Sequence, residues 1–315
     1  MTPATEYKAG SNIEKLFAEG KFVVTGECGP PKSADGSVID EKAKILKGYV
    51  DAVNITDNQT AVVRVSSMVS GWQTQQHGLE AIMQMTCRDR NRLAMQADIL
   101  GASVLGIKNI LCLTGDHMSF GNHPEAKGVH DLDAINLIAM YRQMRDEKKF
   151  QCGEDMDVAP RLYIGCAENP FGDPFEFRAL RLKKKVEAGA DFMQTQCIFN
   201  VPKFKKWMEE VRALGLHKEI KILAGLTPLK GVGAARYMKN FVPGMDVPQE
   251  IVDRMASVEK GPPAQAEGKK LAVEMIKEIA EIEGVAGVHL MAVEWEVAVP
   301  EIVEMAGLMP RPTVA

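Results

Sequence analysis

The 315-residue sequence has no apolar stretch near the roughly 18–20 residues of a membrane-spanning helix. Residues 1–20 are polar and contain no apolar core of a signal peptide. The net charge is −4, so the protein has no overall basic field that would attract nucleic acid. These absences predict a cytoplasmic protein that neither spans a membrane nor binds nucleic acid.

Cysteine spacings typical of metal sites are also missing. The sequence has no CxxC or CxxH pair. Its six cysteines are Cys28, Cys87, Cys112, Cys152, Cys166 and Cys197. No zinc or iron–sulfur site can therefore be inferred locally. We expect buried, reduced thiols and predict no metal, while a ligand set assembled in space stays open.

The composition that is present is ordinary for a globular protein. Apolar residues make up 46% of the chain and charged residues 25%. These values exclude disorder, collagen and coiled coil as the whole structure. The length allows one large domain or two ordinary ones.

Short apolar runs alternate with helical patterns along the chain. The predicted strands span residues 22–25, 52–55, 82–86, 109–113, 162–166, 192–195, 222–224 and 288–291. Between them, residues 90–105 place Leu93, Ala97, Leu100 and Val104 on one face, which is typical of an amphipathic helix. Eight such units predict an α/β fold, a single (β/α)8 TIM barrel domain over residues 1–315.

A doubly wound sheet is the alternative fold. It requires a glycine-rich phosphate turn directly after an early strand. Here the first strand leads into Gly29-Pro30-Pro31, and prolines cannot supply the backbone amides of such a turn. The glycine pair Gly231 and Gly233 is weak evidence, although the loop after strand seven of barrels often helps bind phosphate.

Polar side chains follow the predicted strands, where barrels build their active sites. They are Glu27, Thr56, Asp57, Asn58, Thr86, Asp116, His117, Glu168, Asn169, Gln196, Thr227 and Glu294. Acids and amides that converge on one mouth suit an organic substrate with many hydrogen-bonding edges. Glu27 stands out because an apolar strand precedes it and a stiff Gly-Pro-Pro segment follows.

Several of these residues also have a purely structural interpretation. Asp116 is placed to cap a turn, and Gln196 to pair with backbone. His117, His123 and His130 lie in a Gly- and Pro-containing loop without ligand spacing, so we expect them to be solvated. Lys185 and its neighbours fit a solvated helix face.

In this order and at these spacings, the motifs resemble those of the methylenetetrahydrofolate reductases, a family of flavin-dependent (β/α)8 barrels. The matching pieces are Glu27 with Pro30-Pro31, Val53-Asn54-Ile55-Thr56, Met85-Thr86-Cys87, Thr114-Gly115-Asp116, Lys185-Val186-Glu187-Ala188-Gly189-Ala190, Thr195-Gln196 and Gly225-Leu226-Thr227-Pro228-Leu229. The resemblance covers residues 13–312.

The resemblance implies reduction of 5,10-methylenetetrahydrofolate to 5-methyltetrahydrofolate, or the reverse, with a hydride from reduced flavin. It assigns catalysis to Glu27 and Asp116, and substrate binding to Glu27, Asp116 and Gln196. The cofactor-binding residues that it implies are Thr56, Gln84, Thr114, Gly115, Asp116, Asn169 and Lys185. The chemistry needs a carboxylic acid that is still protonated near neutral pH, and Glu27 matches it.

The chain departs from the family pattern at several positions. Thr114 replaces an arginine, Gln84 a histidine and Val232 an aromatic residue, and some contacts to the FAD diphosphate and adenine do not match. We therefore expect the flavin to be FAD or FMN. We expect its electrons to come from NAD(P)H or from a partner electron-transfer subunit, in a homo- or hetero-oligomer.

Two other functions stay open at this point. One is a pterin-binding barrel that transfers a methyl group to a corrinoid. The other is a non-catalytic barrel subunit, against which the intact Glu27, Asp116 and Gln196 argue.

Overall fold

The computed structural model describes residues 7–314. Eight parallel strands form the centre of the molecule. They are β1 (Val23–Cys28), β2 (Ala52–Ile55), β3 (Ala81–Thr86), β4 (Asn109–Leu113), β5 (Tyr163–Glu168), β6 (Phe192–Cys197), β7 (Lys221–Leu226) and β8 (Val285–Leu290). Each strand pairs with the next, and β8 pairs with β1, which closes the barrel. The predicted (β/α)8 TIM barrel is confirmed. The domain limits of 1–315 stay a prediction, because residues 1–6 and 315 lie outside the described part.

Helices surround the barrel. They are α1 (Asn12–Ala18), α2 (Ser37–Leu46), α3 (Ser67–Gln76), α4 (Arg92–Val104), α5 (Ala134–Asp146), α6 (Arg178–Ala188), α7 (Val201–Ala213), α8 (Val232–Phe241), α9 (Gln249–Ala256), α10 (Pro262–Ala280) and α11 (Val299–Met305). The side chains of Asn91, Asp133 and Asn200 accept hydrogen bonds from the first turns of α4, α5 and α7. Across residues 7–314, none of the helices combines the length and apolar character that a membrane span requires.

The lower half of the barrel interior is apolar. Side chains alternate between the interior and the helix layer along each strand. The interior positions near the amino ends of the strands form one cluster: Val23, Ala52, Ile82, Leu111, Tyr163, Phe192 and Leu223. Ile13, Leu16 and Phe17 of α1 pack against it, so α1 closes the bottom of the barrel.

The next interior layer is polar. Two residues further along their strands, the interior positions of β1, β2, β6 and β8 are Thr25, Asn54, Gln194 and His289, all of them buried. The same alternation brings Glu27 and Gln196 to the interior at the carboxyl ends of β1 and β6. Because all the strands are parallel, these side chains meet at one mouth.

Helix α4 does not pack on the barrel with the apolar face that its sequence pattern predicts. Met95, Ile99 and Ala102 are the buried residues of α4. Leu93 and Val104 are instead 76% and 87% exposed. The helix is amphipathic in the expected region, but its most regular apolar stripe faces outward.

Candidate active site

A cavity of about 400 Å³ opens at the carboxyl ends of the strands. Its lining residues are Glu27, Asn54, Gln84, Leu111, Cys112, Leu113, Thr114, Ala134, Ala167, Glu168, Asn169, Arg178, Arg181, Lys185, Gln194, Thr195, Gln196, His289 and Met291. Six of the residues predicted to form the site lie in this lining: Glu27, Gln84, Thr114, Asn169, Lys185 and Gln196. The structure thus brings most of the predicted site into one concave space of the kind that binds small molecules.

Glu27 lies at the floor of this cavity with its side chain 11% exposed. The loop that follows it is fixed from three directions. Arg64 donates to the Pro30 carbonyl at 2.8 Å, Lys42 donates to the Gly29 carbonyl at 3.3 Å, and the Val65 amide donates to Pro31 at 3.0 Å. The backbone of residues 29–31, directly after β1, is therefore fixed by hydrogen bonds, and the role expected for Glu27 stays a prediction.

A hydrogen-bonded network lies directly below Glu27. His289 Nε2 is 3.7 Å from Glu27 Oε2, and His289 Nδ1 is 2.9 Å from Thr25 Oγ1. Asn54 Nδ2 is 3.3 Å from His289 Nε2 and 2.5 Å from Gln194 Oε1. The carboxyl group of Glu27 thus sits on buried polar side chains contributed by four strands.

The opposite wall of the cavity is cationic. Lys185 Nζ lies 2.7 Å from Glu168 Oε2 and also donates to the Ala167 carbonyl. Arg178 Nη1 and Arg181 Nε are each 3.9 Å from the Glu168 carboxyl group. Three cations against one carboxylate leave a local excess of two positive charges, which suits an anionic ligand.

Thr114 and Gln84 also line the cavity. Thr114 directly follows β4, and Gln84 lies inside β3. Thr114 Oγ1 accepts from the Ala134 amide at 3.2 Å, so this side chain caps the start of α5. Gln84 of β3 is 9% exposed. Both positions depart from the family pattern, and both still face the cavity.

Thr56, Gly115 and Asp116 lie at the same end of the barrel but outside the lining. Thr56 is buried, and its Oγ1 has no hydrogen-bond partner within residues 7–314. Asp116 is exposed, and its carbonyl accepts from Arg88 at 3.2 Å. A Cβ on Gly115 would lie 3.0 Å from Arg88 Cβ, and its φ is +95°, so glycine is required there. Their cofactor and substrate roles stay predictions.

Other polar residues at the mouth have structural partners. Asp57 pairs with Arg90 at 2.7 Å and accepts from the Thr86 amide at 2.9 Å. His117, His123 and His130 are exposed, as expected for a solvated loop. Among residues 7–314, no group of three or more histidine, cysteine or acidic side chains is arranged to hold a metal ion.

Five of the six cysteines are buried, as expected, but Cys152 is exposed. Burial raises the pKa of the thiols of Cys28, Cys87, Cys166 and Cys197 to about 12. Most of the cysteines therefore act as small apolar side chains.

Sequence reasoning missed the residues beneath and beside the site. His289, Asn54 and Gln194 lie inside strands, whereas the search for polar residues at the mouth considered strand ends, and the resemblance added Gln84 as a site residue within a strand. A polar residue inside an apolar strand was the available signal. Arg178 and Arg181 precede Lys185 by about two helical turns and one helical turn, so they share its helix face.

A family model described as methylenetetrahydrofolate reductase matches residues 12–307. The chain belongs to the methylenetetrahydrofolate reductase family. It is 24% identical over 309 residues to a probable methylenetetrahydrofolate reductase (NADPH) of Caenorhabditis elegans. The matched region covers 94% of this chain but 44% of that protein. It is 25% identical over 281 residues to the 5,10-methylenetetrahydrofolate reductase of Escherichia coli (strain K12), with 86% of each protein covered. The chain thus spans less than half of the animal relative and most of the bacterial one.

A solved structure supports the fold of this family member. It is described as an uncharacterized protein from Clostridium thermocellum that binds two copies of 5-methyl-5,6,7,8-tetrahydrofolic acid. The TM-score is 0.63 at 16% identity, over 95% of this chain and 100% of the other. At that identity the likeness shows the barrel fold alone.

Proposed function

We propose that this chain catalyses the flavin-dependent interconversion of 5,10-methylenetetrahydrofolate and 5-methyltetrahydrofolate. The observation that carries the proposal is Glu27, held at the floor of a cavity whose opposite wall has an excess of two positive charges. An acid and an anion-binding wall that share one cavity suit a reaction between a folate and a phosphorylated cofactor. The family and the names of its curated members support the same reaction.

Glu27 acts in this proposal as the general acid. Methylenetetrahydrofolate carries a CH2 group between two nitrogens, and protonation of one nitrogen opens the ring to an iminium that accepts a hydride. The side chain is mostly shielded from water, and it lines the same cavity as Gln196. It can therefore deliver a proton to one defined nitrogen.

The pterin ring binds along the amide-lined part of the cavity. Gln196 lines the cavity at the end of β6, and because its Oε1 accepts from the Cys197 amide at 3.0 Å, its Nε2 is the group that can donate to an acceptor edge of a pterin. Asp116 contributes from the exposed β4 loop. The 5-methyltetrahydrofolate bound by the structurally similar Clostridium thermocellum protein agrees with a pterin-binding barrel.

The cationic wall fits a flavin phosphate. Lys185, Arg178 and Arg181 supply donors, and a net charge of two matches one phosphate group, which carries about −1.5 to −2 near neutral pH. FMN carries such a phosphate at the end of its ribityl chain, and in FAD the corresponding group is a diphosphate that shares its negative charge between two phosphates. In its reduced form, the bound flavin supplies the hydride. The electron donor is NAD(P)H or a partner electron-transfer subunit.

The proposal is tested on the full chain purified without oxygen. Flavin is released and identified as FMN or FAD by mass, which also gives the flavin content. The flavin on the protein is then photoreduced and mixed with methylenetetrahydrofolate. We expect the visible bands of oxidised flavin to return and 5-methyltetrahydrofolate to appear in equal amount. Reduced flavin that persists beside unconsumed folate would overturn the proposal, and methyl transfer to a corrinoid in a protein without flavin would establish the alternative.

A further inference from the structure

Strand β6 contains one extra residue where it reaches the cavity. Its pairing with β7 is regular up to Gln194, which lies opposite Leu223, but the next pair joins Cys197 to Gly225. Three steps along β6 thus correspond to two steps along β7, which makes this place a β-bulge. Bulges are uncommon between parallel strands, and they occur often beside active sites, where they turn a side chain in a new direction.

The bulge changes which side chains of β6 reach the cavity. Gln194, Thr195 and Gln196 all line it, whereas consecutive residues of a regular strand point to opposite faces. The neighbouring strand leaves the space that this arrangement needs. A Cβ on Gly225 would lie 2.2 Å from the Thr195 carbonyl oxygen, so a side chain at this position would push β6 away.

The hydroxyl group of Thr195 connects the two strands at the bulge. Thr195 Oγ1 accepts from the Gly225 amide at 2.8 Å and donates to the Gln196 carbonyl at 2.8 Å. Both roles follow from the partners, since a backbone amide can only donate and a carbonyl can only accept. Direct pairing resumes at Ile198, whose amide donates to the Gly225 carbonyl at 2.8 Å. The hydroxyl therefore supplies partners to two backbone groups that the bulge separates.

The side chain of Gln196 is fixed at the same place. Its Oε1 accepts from the Cys197 amide at 3.0 Å. Because that amide is a donor, the oxygen of Gln196 must face it, and Nε2 is the group that can donate into the cavity. Gln196 is therefore held at two atoms, its backbone carbonyl by Thr195 and its side-chain oxygen by Cys197.

We propose that Thr195 is a positioning residue for pterin binding, whose hydroxyl holds the Gln196 carbonyl and so keeps Gln196 Nε2 directed at the substrate. This rests on the proposed function, in which Gln196 donates to an acceptor edge of the pterin. The one hydrogen of the Thr195 hydroxyl is on the Gln196 carbonyl, so Thr195 does not donate to the substrate itself. It acts through Gln196.

The test measures binding of tetrahydrofolate, which has the pterin ring but no carbon to transfer, to the flavin-loaded full chain by calorimetry without oxygen. Valine has the shape of threonine but can neither accept from Gly225 nor donate to Gln196. We expect Thr195→Val to weaken binding about three- to tenfold, the usual effect of one lost hydrogen bond. Thr195→Ser keeps the hydroxyl and should bind as the wild type does. Thr74→Val is the matched control, because Thr74 also donates to a backbone carbonyl, that of Ser70 at 2.8 Å, but lies in α3.

A double variant distinguishes positioning of Gln196 from general damage to the sheet. Gln196→Ala removes the amide, and we expect it to weaken tetrahydrofolate binding about tenfold. If Thr195 acts only through that amide, Thr195→Val/Gln196→Ala binds no more weakly than Gln196→Ala alone. Further weakening in the double variant overturns the proposal, and so does unchanged binding in Thr195→Val. If valine prevents folding, Thr195→Ala makes the same comparison with a smaller side chain.

The folate half-reaction gives a second measurement. In Thr195→Val, the concentration of methylenetetrahydrofolate that gives half the maximal rate should rise by the same factor as the dissociation constant. The maximal rate should change little, because the lost contact serves binding. A wild-type chain that binds no tetrahydrofolate would refute the proposed function. Wild-type turnover together with undiminished binding by Thr195→Val would refute only the role of Thr195.

Discussion

Lys185 and Glu168 form an ion pair on the wall of the cavity, with Nζ 2.7 Å from Oε2 and side chains that are 6% and 2% exposed. The lysine comes from α6 and the glutamate from the end of β5. A buried pair of this kind is strongly destabilised when one partner is removed, by about 3–5 kcal/mol. The pair therefore has a structural role beside any role in binding phosphate.

Replacement of Lys185 by Met should weaken flavin retention, because the wall loses a donor and one positive charge. In Lys185→Met alone, Glu168 is left as a buried carboxylate without its lysine partner. The double variant Lys185→Met/Glu168→Gln has no such carboxylate, so flavin that it loses is lost through weaker binding and not through a less stable fold. Lys183→Met is the matched control, since Lys183 lies on the same helix with its side chain 49% exposed. The measurement is the flavin-to-protein ratio after gel filtration. If both Lys185 variants retain flavin as well as the control does, Lys185 is not part of the flavin site.

The thiols should show a sharp difference in reactivity. At pH 8 a thiol with a pKa of about 12 is almost entirely protonated, and only the thiolate reacts. A thiol reagent should therefore modify only the exposed Cys152 in the native protein, and all six cysteines after unfolding. Cys152→Ser should show no fast labelling. Rapid modification of a second thiol in the native protein would contradict the burial described here.

The same thiols make stability depend on pH in the alkaline range. In the folded chain the pKa of Cys87 rises from 9.0 to about 12 because of burial. The unfolded chain therefore loses its thiol protons first, and stability should fall as the pH rises from about 9 towards 12. Urea unfolding midpoints at pH 8 and pH 10 measure this. Cys87→Ala should reduce the difference between the two midpoints, and an equal difference in both proteins would exclude the thiol as a cause.

Gly165 should tolerate no side chain. A Cβ on this residue would lie 2.3 Å from the Phe192 ring, which fills the barrel interior. We expect Gly165→Ala to lower the free energy of unfolding by about 1–3 kcal/mol. Gly233→Ala is the control, because nothing lies within 4 Å of its Cβ and it is in helix α8, so alanine should stabilise by about 0.5–1 kcal/mol. Urea unfolding compares the two, and equal stabilities would mean that the ring moves away freely.

The barrel could be predicted from the sequence because apolar runs and helical patterns recur at regular spacing. Strand ends were less certain. The first strand was expected to end at residue 25, yet β1 continues to Cys28. Gly26 and Glu27 lack the apolar signal, but their backbones still pair with Val53 and Asn54. A ladder of backbone hydrogen bonds does not require apolar side chains, so hydrophobicity alone ends the strand too early.

The residues around Glu27 could not be predicted in the same way. Asn54 and Gln194 pair across 140 residues of sequence, and no local pattern relates them. The apolar stripe of α4 was visible, but which face packs on the barrel depends on neighbouring helices and not on the stripe alone. The strand pattern and the resemblance together gave the residues at strand ends, with Gln84 inside β3 and Lys185 on α6, whereas the buried layer of Thr25, Asn54, Gln194 and His289 became visible only when the strands were placed side by side.

Replacement of Glu27 by Gln should separate the two half-reactions. Glutamine keeps the size and hydrogen-bonding reach of glutamate but cannot donate a proton as an acid. The rate of flavin oxidation by methylenetetrahydrofolate should fall by about 10²–10⁴-fold, the usual contribution of general acid catalysis. Reduction of the flavin by its electron donor does not use this proton, so its rate should be nearly unchanged. Each rate is followed by flavin absorbance in a stopped-flow instrument, with the exposed Glu125→Gln as control. Equal slowing of both half-reactions would make Glu27 a residue that positions the flavin, and no slowing of either would place the acid elsewhere in the cavity.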